Sequence, residues 1–327
     1  MSHTVSQSEI NVNLHRSLPM PSSKILWALD PFHKNSKVFK NSVALLKILS
    51  EKTRAKIEPV YVVSPAEARV ALEFSVPAKK RFEVVATAAM QKILKEVRLP
   101  GLLKPKILVE NHLRISASAK TMAQYAAKQK ALCIVVGTQA KQGLDRLVLG
   151  SFAETLILNS STPLLLINPH CQTPSRLDSV LFATDFSKAS KRAFSKVASL
   201  ASKLAAEITL FHVIPKPFRW TEEAADLLFG HGEMSTKQYF ELESQARVRE
   251  AEKLQKELKG LKVPITLHVE KSSESVAELT LAYAKKSKAK LIAMAAQSGM
   301  VAATVLGSAT REVLRQAKVP VWVESNR

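Results

Sequence analysis

Residues 135–167 read VVGTQAKQGLDRLVLGSFAETLILNSSTPLLLI, and residues 293–323 read AMAAQSGMVAATVLGSATREVLRQAKVPVWV. Each stretch passes from an apolar strand through a loop to Leu-Gly-Ser, then a helix, a proline and a closing apolar strand. Gly150 precedes Pro163 by 13 residues, and Gly307 precedes Pro320 by the same 13. The chain therefore carries two copies of one α/β unit, and each copy is a control for the other.

The same order extends outward from both stretches. In the first half the apolar segments are KILWALD (24–30), IEPVYVV (57–63), KILVE (106–110), ALCIVV (131–136) and LLLIN (164–168). Between them lie VFKNSVALLKILSEKT, FEVVATAAMQKILKEV and SASAKTMAQYAAKQK, with apolar residues at helical spacing, and then the helix after Gly150. The second half repeats the plan with SVLFATD (179–185), EITLFHV (207–213), PITLHVE (264–270), KLIAMA (290–295) and PVWVE (320–324). The copies are offset by 155 residues at Asp30 and Asp185, 151 at Val62 and Val213, and 157 at the two Gly-Ser pairs. Short apolar strands alternating with helices imply right-handed crossovers and buried parallel sheets. The expected fold is α/β, with two tandem open-sheet Rossmann-like domains. Each is a five-stranded parallel sheet with helices on both faces.

A chain of 327 residues also exceeds the usual span of one core. The stretch NPHCQTPSRLD (168–178), with two prolines and no apolar period, reads as a linker. The expected divisions are a flexible tail over 1–21, a first domain over 22–169, a linker over 170–178 and a second domain over 179–327. The tail is polar and lacks the apolar core of a signal peptide. No apolar run approaches the ~20 residues that span a bilayer, so a cytoplasmic location is expected.

Net charge is +20 and uneven, with 23 Lys+Arg against 10 Asp+Glu over residues 22–169 and 24 against 17 over 176–327. This favours anionic partners such as nucleotides, phospholipid headgroups or nucleic acid, and equally fits a solubilising surface. Aromatic residues make up 6% and no zinc-finger, RNA-recognition or basic-zipper pattern occurs, so sequence-specific nucleic-acid reading is not expected. Two cysteines, Cys133 and Cys171, are too few for a metal cluster or disulfide framework. Cys133 reads as a core residue in ALCIVV, and Cys171 as an exposed thiol in the linker.

In open parallel sheets ligands bind beyond the carboxyl ends of the strands, where strand order reverses. Asp30 and Asp185 end the first strand of each copy. Such a carboxylate either accepts from a ribose hydroxyl or caps a helix start, and TDFS at 184–187 fits the second role too. Gly137 ends the fourth strand of the first copy, and Gly150-Ser151 open its last helix. Together they make a plausible phosphate cradle, or ordinary turn glycines and a cap. His212 reads as a hydrogen-bonded edge residue, and His231-Gly232-Glu233 stands isolated. No Ser-His-Asp set, P-loop or Rossmann glycine pattern is present.

Taken together, these residues resemble the universal stress protein family. Its nucleotide-binding members carry a first-strand Asp, a second-strand Val and the motif Gly, two residues, Gly, nine residues, Gly-Ser/Thr. Asp30 and Val62 match the first two. Gly137, Ala140 and Gly150-Ser151 match the motif except that Ala140 replaces its second Gly, and Phe152 follows directly. The resemblance covers about 300 residues. It implies that Asp30 and Val62 meet ribose and adenine, while the glycines and the Gly-Ser backbone hold the phosphates of ATP or a related adenine nucleotide, with Mg2+. The Ala140 methyl crowds that approach, and Pro31 removes a backbone donor beside it.

The second copy keeps Asp185, Val213, Gly307 and Ser308. Counting 13 residues back from Gly307 gives Met294 and counting 10 gives Gln297, so both cradle glycines are replaced there. The second half is therefore expected to be a degenerate partner. The resemblance further implies pairing of the last strands, LLLIN with VWVES, as an intramolecular pseudo-dimer; a homodimer is the other possible assembly. The expected function is nucleotide binding in the stress response without efficient catalysis, a weak ATPase at most, since no base for water is identifiable. The alternative is an interaction module that binds no nucleotide. It would meet a protein partner or anionic lipid through the basic first domain or the apolar segment over 218–229, with Phe218, Trp220, Leu227, Leu228 and Phe229. That segment equally fits packing onto its own domain.

Overall fold

The computed structural model describes residues 23–32, 36–63, 76–110, 115–138, 149–215, 236–296 and 306–325. The tail, Ala140, Gln297, His231-Gly232-Glu233 and the segment over 218–229 lie outside the described residues. The first half runs β1 (Lys24–Ala28), α1 (Ser36–Thr53), β2 (Lys56–Val63), α2 (Val76–Leu94), β3 (Lys106–Val109), α3 (Ile115–Lys128), β4 (Cys133–Gly137), α4 (Ser151–Asn159) and β5 (Leu164–Ile167). The second runs β6 (Ser179–Ala183), α5 (Lys188–Leu204), β7 (Glu207–Pro215), α6 (Thr236–Glu257), β8 (Ile265–Ser272), α7 (Val276–Lys286), β9 (Leu291–Ala295), α8 (Ser308–Gln316) and β10 (Val321–Glu324). A 3₁₀ turn, Lys259–Leu261, ends the long charged stretch that began at α6.

Two parallel five-stranded halves share one mixed sheet, in the order β3-β2-β1-β4-β5-β10-β9-β6-β7-β8. They join through β5 and β10, which pair antiparallel with Leu166, Leu165 and Leu164 opposite Val321, Trp322 and Val323. Leu165 and Trp322 hold equivalent places in the two copies, so a pseudo-two-fold axis passes between them. The intramolecular pairing expected from the sequence is thus present.

Strands β4, β5, β9 and β10 are buried on both faces, apart from the half-buried Gly137 at the end of β4, which is why they read as continuous apolar runs. The outermost strand β8 is only part-buried. One core fills the face beneath α1 and α5, with Trp27, Leu45, Leu46, Phe182 and Phe194. The other fills the face beneath α3, α4, α7 and α8, with Leu26, Met122, Leu156, Phe211 and Val313. The ring pair Trp27–Phe39 at 5.3 Å has its counterpart in Phe182–Phe194 at 5.2 Å, both at the 155-residue offset.

Each half also caps the last helix of the other. Asn168 Nδ2, just past β5, donates to the carbonyls of Leu314 (3.1 Å) and Ala317 (2.8 Å) at the end of α8. Ser325 Oγ, just past β10, donates to Ser160 O at the end of α4, at 2.6 Å. These bonds satisfy carbonyls that a helix end leaves without partners. The linker is tied down as well: Cys171 is fully buried, which corrects the expectation of an exposed thiol. Burial pushes its pKa up to about 12, so it is a packing residue.

Glu324 is the sheet centre's one departure from apolar character. It is 1% exposed; Trp322 Nε1 donates to its Oε2 at 3.0 Å, and Lys196 Nζ lies 3.2 Å from Oε1 outside hydrogen-bonding geometry. Burial raises its carboxyl above the usual range, and the indole and Lys196 offset this only in part. The native state therefore holds this proton more tightly than the unfolded chain. Its contribution is complete below the ordinary carboxylate pKa and is lost as pH rises through the raised native value. Glu324→Gln, which keeps the shape and removes the titration, is expected to flatten that decline and raise the melting midpoint at neutral pH. Melts from pH 4 to 8 check this, and an unchanged slope would count against it.

Candidate functional site

Strand order reverses between β1 and β4, and a cleft of about 200 Å³ opens there at the carboxyl ends of the strands. Asp30, Val62, Gly137, Gly150 and Phe152, all singled out from the sequence, line it together. Ser151 opens α4 beside it, with its side chain exposed. Trp27, Phe39, Tyr61, Ser42 and Met122 are also among its walls. Sequence reasoning missed these five. Trp27 and Phe39 are explained as core by their second-half counterparts, whereas Tyr61 was legible as the neighbour of Val62 at a strand end.

Asp30 lies two residues past β1, and its Oδ1 accepts from Phe32 N at 2.8 Å. The second half repeats this turn, with Ser187 N donating to Asp185 Oδ1 at 3.0 Å. Both carboxylates therefore shape their own loop as Asx turns, and neither caps a helix: Ser187 caps α5, and α1 begins only at Ser36. Phe32 is half-exposed at the rim and meets the Tyr61 ring edge-on at 5.8 Å.

The two glycines differ in what they serve. Gly150 precedes α4 with φ −60° and ψ 140°, a conformation open to any residue, and no side chain caps the helix start. Helices α5 and α7, by contrast, are capped by Ser187 and Ser275. The first backbone bond of α4 runs from Glu154 N to Gly150 O at 3.0 Å, so the amides of Ser151, Phe152 and Ala153 have no partner within the helix. At Gly137, a Cβ would lie 2.5 Å from Val38 Cγ1. Its missing side chain makes room for α1 on the sheet, so packing accounts for this glycine.

The strand register corrects the comparison of the copies. Ala28 pairs with Val136 in the first half, and Ala183 pairs with Met294 in the second. Met294 thus takes the place of Val136, with its side chain in the same core, and Ala295 takes the place of Gly137. Counting back from Gly307 misplaced Met294 because the second loop is one residue shorter. The helix residue opposite also differs: Val38 in the first half corresponds to Ala193 in the second, and both are buried.

Val213 is buried in β7, and Gly307 precedes α8 with φ −56° and ψ 143°, also without a side-chain cap. Ser308 is exposed at the start of α8. What differs is the residue that follows the first-strand Asp and its neighbours. Phe186, directly after Asp185, has φ 56° and is buried, with the Arg247 guanidinium 5.7 Å from its ring centre. Pro31 holds that position in the first half, and its ring forbids positive φ. His212 stands where Tyr61 stands; its ring meets Phe186 edge-on at 5.3 Å, and Nδ1 donates to Thr184 O at 2.7 Å. Burial lowers its pKa and so favours the neutral imidazole, which suits a hydrogen-bonded edge residue.

The fold and the sequence pattern together find counterparts among known proteins. The model of the universal stress protein family matches twice, over residues 22–168 and 177–323, and the chain belongs to that family. A universal stress protein of Methanocaldococcus jannaschii is 32% identical over 120 residues, which span 35% of this chain and 65% of that protein. The crystal structure of a universal stress protein from Archaeoglobus fulgidus covers 93% of this chain and 99% of its own, with 18% identity and a TM-score of 0.63. Another universal stress protein from Archaeoglobus fulgidus, solved in complex with dAMP, covers 45% of this chain and 96% of its own, with 14% identity and a TM-score of 0.32.

Proposed function

We propose that the first half binds an adenine nucleotide such as ATP, and that the second half serves it as a structural partner. The observation that carries this reading is the start of α4. Its amides lack the side-chain cap that α5 and α7 have, and it opens on an apolar cleft at the switch point of the sheet. Such a helix start favours phosphate through its free amides and its dipole. In this reading Asp30 would meet the ribose hydroxyls and Val62 the base, as the family resemblance implies; both line the cleft. Among the described residues no group of three His, Cys, Asp or Glu comes together to hold a metal, so Mg2+ would arrive on the phosphates.

The second half is proposed to bind less well or not at all, because the buried Phe186, with the Arg247 guanidinium beside its ring, follows Asp185 where the first half has Pro31. A dedicated reaction is not part of this reading: among the described residues lining the cleft, Asp30 is the only carboxylate and no His or Lys joins it. We also place the protein in the cytoplasm; no described helix is long and apolar enough to cross a membrane.

Equilibrium dialysis with labelled ATP tests the reading on the full chain. One nucleotide per chain is expected. Gly150→Trp is expected to lower affinity at least tenfold with an unchanged circular dichroism spectrum, because its backbone angles suit any residue. Equal affinity in that variant would sink the assignment. Two nucleotides per chain would overturn the second half's role as a non-binding partner.

A further inference from the structure

Glu154 and Arg311 occupy equivalent places, 157 residues apart, each in the first turn of the last helix of its half. They meet across the pseudo-two-fold axis, where Arg311 Nη2 donates to Glu154 Oε1 at 2.6 Å. Two like helix starts thus carry unlike charges. A carboxylate suits the positive end of α4, but a guanidinium in the first turn of α8 opposes the dipole of its own helix. Helix α8 therefore gives no reason for an arginine there, whereas Glu154 does.

Glu154 follows Ser151 by three residues, so the two lie on one face of α4. A bare carboxylate one turn from the Gly150-Ser151 amides would repel an arriving phosphate. Arg311 neutralises it and brings positive charge from the other half of the molecule to the same helix start. We propose that Arg311 is a positioning residue for the phosphate end of the ligand in the first-half cleft, supplied by the second half through its ion pair with Glu154. This rests on the nucleotide reading of that cleft, and it gives the second half a part in the first half's site that acts through Glu154.

The test is calorimetric titration of the full chain with ATP and with adenosine at fixed salt. It compares the wild type, Arg311→Ala, Glu154→Gln and the double variant, each checked for an intact melt. Arg311→Ala is expected to weaken ATP roughly fivefold and leave adenosine unchanged, as partly exposed ion pairs of this kind allow. In the Glu154→Gln background the same arginine change is expected to matter less, because no carboxylate remains to be neutralised. Unchanged ATP affinity in Arg311→Ala, or equal weakening of ATP and adenosine, overturns the inference while leaving ATP binding in place. A wild-type chain that binds neither compound removes the nucleotide reading itself, and the inference with it.

Discussion

Gly137→Ala is expected to destabilise the protein by about 1–3 kcal/mol, as overpacking of a tight core does, and Val38→Ala in the same chain is expected to recover most of that loss. The added Cβ would sit 2.5 Å from Val38 Cγ1, closer than side-chain carbons approach in real structures. Val38 cannot easily give way, since it is 5% exposed and held in the first turns of α1. Strand β4 cannot give way either, because it is paired on both sides, with β1 and β5. The second half shows the relaxed solution. Ala295 and Ala193 stand where Gly137 and Val38 stand, each with a side chain of one carbon. Val38→Ala alone is expected to cost about 1–2 kcal/mol through the cavity it leaves. The two changes should therefore be far from additive, as residues in contact are. Urea midpoints of the four chains measure this. A double variant as unstable as the sum of the singles would show that the glycine is not reserved for α1.

That pair shows where the sequence could be read and where it could not. The alternation of apolar runs, the repeated Leu-Gly-Ser and the steady offsets made the α/β halves legible, because burial on both faces of a parallel strand forces an apolar run. Asp30, Gly137 and Gly150 were legible from the same strand ends and the helix start that follows, whereas Val62 and Phe152 came with the family resemblance; all five line one cleft. The reason for Gly137 was not legible. A glycine that admits a ligand and one that admits a valine from a neighbouring helix look alike in sequence, and only the approach of Val38 separates them. The place of Met294 was misread for a related cause: counting residues assumes loops of equal length, whereas hydrogen-bonded register does not. Cys171 was read as exposed because the linker has no apolar period. Its burial comes from bonds that no period encodes, such as Asn41 Nδ2 donating to its carbonyl at 2.7 Å.

Trp322→Ala is expected to have the larger effect on the fold, about 3–5 kcal/mol, and to loosen the halves from each other. Trp322 is 2% exposed and lies opposite Leu165 on the pseudo-two-fold axis, in the strand pair through which the sheet passes from one half to the other. Removing its indole opens a cavity there. It also takes away the donor to Glu324 Oε2, and a buried carboxylate without its partner is costly. Trp322→Leu, which copies the first half, should lose less. The axis explains why two different residues are needed. Where a two-fold brings a position against its own equivalent, paired first halves of two chains would set Leu165 against Leu165 and Glu154 against Glu154. Paired second halves would set Trp322 against Trp322 and Arg311 against Arg311. Only the pairing of unlike halves matches bulk with space and cation with anion, so each half is matched to the unlike half rather than to a copy of itself. Denaturation followed by far-ultraviolet circular dichroism, which does not depend on the lost indole, gives the readout. Two separated transitions in Trp322→Ala, against one in the wild type, are the expected result. A single unshifted transition would show that the reciprocal caps at Asn168 and Ser325 hold the halves together without the tryptophan.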